Sequence, residues 1–114
     1  MGQLVKDKLK EFSKFRNGWG PMGEGCDFSE EQINSVLEFW HKYIENKYDS
    51  NAFPGLGGEI MLTLYLKDGH YCELYFEADG TYSYIRENEN EAIIEELCDL
   101  KYKDLVNIVK KLGG

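Results

Sequence analysis

Apolar and polar positions alternate most regularly over residues 59–87. Three runs rich in β-branched and aromatic side chains, at 59–67, 70–77 and 81–86, are separated there by Asp68-Gly69 and Asp79-Gly80. The pattern predicts an antiparallel meander, and its register follows from which faces come out apolar. A two-residue loop at Asp68-Gly69 would set Glu73 opposite Leu64, among the leucines. A three-residue loop, Lys67-Asp68-Gly69, instead aligns Leu64 with Cys72, Leu62 with Leu74 and Ile60 with Phe76. It also puts Gly69 at the left-handed position of a type I turn with a G1 bulge, which glycine reaches without strain. The same rule at Ala78-Asp79-Gly80 pairs Phe76 with Tyr82 and Leu74 with Tyr84. The expected inner face holds Ile60, Leu62, Leu64, Leu66, Cys72, Leu74, Phe76, Tyr82 and Tyr84. Thr63, Tyr65, Glu73, Tyr75, Ser83 and Ile85 form the outer face.

Helical spacing governs the flanks. Leu4, Val5, Leu9, Phe12 and Arg16 predict an amphipathic helix over 3–16, basic on its other face and stopped by Asn17-Gly18. Residues 18–25 place four glycines and Pro21 in eight positions and read as a loop holding Trp19. Ser29 and Gln32 form a capping box, and Phe28 with Ile33 a hydrophobic staple, so a second helix is expected over 30–47. Its stripe of Ile33, Val36, Leu37, Trp40, Tyr43 and Ile44 is wide enough to cover the sheet. Residues 49–58 read as an irregular connector and 88–91 as an exposed turn. Residues 92–98 fit a fourth strand or a helical turn, with strand preferred. Tyr102, Leu105, Val106, Ile108, Val109 and Leu112 predict a last helix over 102–112, ended by Gly113-Gly114. The expected fold is α+β: one two-layer domain over 1–114, with a three- to four-stranded meander against two N-terminal helices and one C-terminal helix.

Composition narrows the function. A chain of 114 residues buries roughly 65% of its unfolded surface and needs neither metal nor disulfide to fold. Cys26, Cys72 and Cys98 are odd in number and lack CxxC spacing, which points to reduced thiols and a cytoplasmic setting. The first residues lack the apolar stretch of a signal peptide, position 6 is Lys where myristoylation favours Ser or Thr, and no apolar run approaches membrane-spanning length. Net charge is −8. Residues 4–16 carry five basic and two acidic side chains, a balance of +3, whereas residues 86–99 set six acids against Arg86, a balance of −5. Such a surface repels nucleic acid and suits a basic partner.

Candidate chemistry is thin. Cys26 near a helix start, with His41 as base, is the one nucleophile arrangement the residues offer, and no local signature surrounds it. Cys26, Asp27, His41, His70 and Cys72 lack metal-ligand spacing, so neither metal nor cofactor is expected. The carboxylates of 87–99 read as a solvated face rather than an acid–base pair. Glycines 18–25 follow a helix and run into Glu24 and Asp27, where a phosphate would meet like charge.

Trp19-Gly20, a glycine-containing loop, a capped helix from Ser29 through Phe39, then Pro54, Gly58 and Ile60-Met61-Leu62 resemble a family of small bacterial proteins without an established function. In that family a tryptophan-glycine loop precedes a helix, and a Pro…Gly-x-Ile-x-Leu-x-Trp strand opens a meander. The likeness covers roughly residues 17–86. This chain departs at Leu64, where the family tends to carry tryptophan, and in its longer 20–26 loop. The resemblance implies a fold and no reaction.

The residues together point to a non-enzymatic, acidic protein-binding module of a bacterium or its phage. It would be an immunity or antitoxin protein, or an inhibitor of a host defence complex. Expected partner-binding residues are Trp19, Tyr65, Glu73 and Tyr75 with Glu87, Glu89, Glu91, Glu95 and Glu96. A small Cys26-dependent enzyme and a domain that self-associates through the outer sheet face are the alternatives.

Overall fold

A computed structural model describes residues 2–112. Its elements run α1 (Gly2–Phe12), α2 (Glu30–Tyr43), β1 (Asp49–Pro54), β2 (Ile60–Tyr65), β3 (Tyr71–Phe76), β4 (Tyr82–Glu87), β5 (Ile93–Leu100) and α3 (Tyr102–Lys111). The strands form one antiparallel sheet in the order β1-β2-β3-β4-β5.

Both hairpin registers agree with the apolar-face argument. Leu64 faces Cys72, Ile60 faces Phe76, and Phe76 in turn faces Tyr82. Leu66 and His70 close the first loop with an N–H···O bond of 2.9 Å, and Gly69 stands at φ +87°. The expected inner face is buried throughout, except for the half-buried Leu66 and Tyr82 at its ends.

The strand count needs correction: there are five strands, not three or four. Residues 93–98 belong to β5, as preferred for 92–98, with Ala92 left in the turn before it, and residues 49–54, expected as irregular connector, pair along the whole of β2 as β1. Asp49-Ser-Asn-Ala-Phe-Pro54 has little strand propensity of its own. Pairing with the open side of β2, burial of Ala52 and a 3.1 Å bond from the Trp40 indole N–H to the Ser50 hydroxyl outweigh that deficit. Pro54 is tolerated because β1 is an edge strand.

Two helices also end early. α1 stops at Phe12, where tighter N–H···O bonds (Lys14 to Glu11, Phe15 to Phe12) turn Phe15 back against Phe12. α2 ends at Tyr43 and gives way to turns that include Lys47 N–H to the Ile44 carbonyl. The Ser29 hydroxyl caps α2 by accepting the Gln32 N–H, but the Gln32 side chain reaches across to donate to the Phe76 carbonyl, so half of the expected box is spent on tertiary docking. The expected stop of the last helix at Gly113-Gly114 lies outside the described residues.

α2 and α3 pack on the inner face, where Trp40 and Phe39 of α2 meet Ser50 and Phe76 and Tyr102 of α3 meets Tyr82. α1 lies along β1 and α2, and its Lys8 reaches round the edge strand to Asn51 (2.8 Å) and the Phe53 ring (4.2 Å). Burial lowers the Lys8 pKa. The outer sheet face is left without a helical cover, although Thr63 is fully buried in it between its larger ladder neighbours Asn51 and Glu73.

Candidate functional site

The β2–β3 hairpin and the β4–β5 turn end on the same rim of the sheet, and between them opens a cleft of about 500 Å³. Antiparallel pairing puts Tyr65 opposite Tyr71 and Tyr71 opposite Glu87, so two rings and a carboxylate line up across three strands. The rings lie 5.5 Å apart between centroids. The turn at 88–91 adds Glu89 and Glu91 to the lining, which includes no Lys or Arg. Asn88 holds that turn by accepting the N–H groups of Asn90 and Ala92, while Glu91 takes a left-handed φ of 64°.

His70 forms the floor on a polar network. Its Nδ1 accepts from Arg86 Nε at 2.9 Å, and its Nε2 lies 3.3 Å from Glu89. These partners set the imidazole proton on Nε2. Arg86 also reaches Asp68 at 3.3 Å. The backbone N–H of His70, which donates to the Asp68 carboxylate, and then the charge of Arg86 hold the Asp68 carboxyl below its ordinary range.

Along the outer face the Tyr71 and Tyr75 hydroxyls both donate to Glu73, at 2.8 and 2.6 Å. Burial first, then the Glu73 contact, pushes both phenols well above their usual pKa. Glu73 and Tyr75 are therefore a brace beneath the cleft wall rather than free groups. Glu96 stands exposed opposite Ile85 on the same side of the sheet, whereas Glu95 accepts the Tyr84 hydroxyl at 3.0 Å. Trp19 is placed elsewhere: half-buried between Phe15 and Phe28, it lies across Gly25, where a Cβ would come within 2.5 Å of the indole, and its N–H donates to the Cys26 carbonyl. Of the nine expected residues, Tyr65, Glu87, Glu89 and Glu91 converge in the cleft. Tyr71 and His70 were missed, and the hairpin register that pairs Tyr65 with Tyr71 was the signal available for the first of them.

A second hollow of about 530 Å³ opens on the other side of Tyr65. There Glu45, Asp49 and Asp68 are nearly balanced by Lys47 and Lys67, so it has no strong sign of charge.

The cysteine arrangement does not assemble. Cys26 precedes α2, and His41 sits in its last turn against Glu45 at 2.7 Å, roughly 15 Å further along the helix axis by the helical rise. Cys72 lies two residues from His70, but it is fully buried and its thiol is raised to about 11. Because the folded value exceeds the ordinary 9.0, the folded state keeps this proton longer. The stability that the thiol contributes is complete below pH ~9 and lost as pH rises towards 11. Titration with a disulfide reagent at pH 8 should modify Cys26 and Cys98 promptly and Cys72 only after denaturant is added. Rapid loss of all three thiols in the native protein would contradict the described core.

Among the described residues no group of three His, Cys, Asp or Glu side chains is placed to hold a metal, and no helix is long and apolar enough to cross a membrane. No family model matches the chain, and no curated protein or solved structure matches it significantly. The resemblance to the tryptophan-glycine family thus rests on the quoted motifs alone.

Proposed function

We propose that this chain is a non-enzymatic docking module which receives a basic side chain of a protein partner in the cleft between Tyr65, Tyr71 and the 87–91 carboxylates. The juxtaposition of two tyrosine rings with three acids, in a lining without Lys or Arg, carries this reading. A guanidinium or ammonium group gains from both, through the ring quadrupole and through charge-assisted hydrogen bonds. Tyrosine at such a wall supplies contact area at low entropic cost. A phosphate or a nucleic-acid backbone would meet only like charge there. Neutralisation of a basic toxin and occupation of a host protein's nucleic-acid-binding surface by charge mimicry are the two biological versions that fit.

The test is capture from the native host on immobilised protein at low and at high ionic strength. A partner held at low salt and released at high salt supports the reading, since exposed charge pairs are screened within a Debye length of about 10 Å at 0.1 M. A partner retained equally at both would overturn it.

A further inference from the structure

Building on the reading of this chain as an acidic docking module, we infer that its partner adds a short basic β-strand to the free edge of β5. β5 is last in the sheet order and pairs with β4 alone, so its far side carries unpaired backbone N–H and C=O groups. The opposite edge strand, β1, is flanked by α1, whose Lys8 reaches Asn51 and Phe53, and it ends in Pro54. Every residue from Ile93 to Asp99 is exposed, and Ile93, Ile94 and Leu97 are 57%, 48% and 44% open to solvent. The helical layer reaches only to β4, where Tyr102 meets Tyr82. A strand bare on its edge and on both faces, with three large aliphatic side chains, is a template for another strand.

Two irregularities limit what can pair. β5 carries an extra residue between the partners of Arg86 and Glu87, and another between those of Tyr82 and Tyr84, the latter with Asp99 at φ 56°. The regular edge between them is Glu95–Leu97, which confines an added strand to a few residues and sets its register.

Charge selects the occupant. Residues 87–100 contain Glu87, Glu89, Glu91, Glu95, Glu96 and Asp99 and no Lys or Arg. Two-fold pairing with a second copy would bring both acidic sets together along one ribbon. A strand with Lys or Arg opposite Glu95 and Glu96, and an apolar residue beside Leu97, meets complementary charge and covers exposed aliphatic surface.

The experiment titrates the isotopically labelled chain with a synthetic heptapeptide whose central pair of lysines is flanked by valines, so that lysines can stand opposite Glu95 and Glu96 and a valine beside Leu97, followed by amide NMR spectra and hydrogen exchange. The amides of Glu95–Cys98 should shift and exchange about tenfold more slowly when the peptide is bound. Glu95→Lys with Glu96→Lys should weaken binding about tenfold or more while the rest of the spectrum keeps its folded pattern. Peptide-induced shifts confined to Tyr65, Tyr71 and Glu89 would overturn strand addition and leave the cleft reading standing. No binding at low salt would overturn both. A free protein that sediments as a dimer with its edge amides already protected would assign the edge to a second copy, and so overturn the inference. Equal binding of a glutamate–valine peptide would do so as well.

Discussion

Trp40→Ala should destabilise the protein by about 3–5 kcal/mol, with a melting temperature lower by about 15–25 °C in a thermal unfolding scan. Trp40 is the largest fully buried side chain, sits on the face of α2 that roofs the sheet, and ties that helix to β1 through Ser50. Truncation removes the packing of an indole and leaves the buried Ser50 hydroxyl without its donor. Those two contributions separate experimentally. Trp40→Phe keeps most of the apolar volume and should cost about 1–3 kcal/mol, much of it from the orphaned hydroxyl. Adding Ser50→Ala to Trp40→Phe should return part of that cost, with a coupling of about 1 kcal/mol in a double-mutant cycle. Since a domain of this size is stable by only about 5–15 kcal/mol, the alanine variant gives up a large share of the total. A loss below about 1 kcal/mol would mean that α2 does not dock on β1 and β3 through Trp40 and Phe39.

Reversing the cleft charge should have the largest effect on partner binding. Glu87→Lys, Glu89→Lys and Glu91→Lys together change the net charge from −8 to −2, because each exchange adds two units. The three sites are half-buried or exposed, on the end of β4 and its turn, so the fold should survive. Affinity for the basic partner should fall about a hundredfold, equivalent to about 2.7 kcal/mol, mostly through slower association that no longer responds to salt. Tyr65→Ala should weaken binding by a smaller factor and leave the salt dependence intact, because it removes a ring and no charge. The measurement is association and dissociation rates against ionic strength. Unchanged rates in the triple variant would remove the cleft from the docking surface.

Much of the fold was legible because local rules and burial agreed. The Asp-Gly turns and the alternation of Leu62, Leu64, Cys72 and Leu74 admitted a single register with one apolar face, and that register is the one adopted. β1 was illegible for the opposite reason: Ser50, Asn51 and Pro54 carry no strand preference, and only the open side of β2 makes them one. Glu73 looked like a free surface acid in the chain, yet two tyrosine hydroxyls engage it, a consequence of i±2 neighbours sharing one side of β3. Trp19 looked equally suited to an interface, but Phe15 turns back to meet it once α1 ends at Phe12.

By itself, the amino-acid order determined the meander, the start of α2, the apolar side of each helix and the concentration of acid in 86–99, because each depends on neighbours within a few residues or on a simple period. Tertiary structure alone decided the fifth strand and the meeting of Tyr65 with Glu87, Glu89 and Glu91. Those depend on which strand edges lie side by side, and no rule relating neighbours along the chain specifies that.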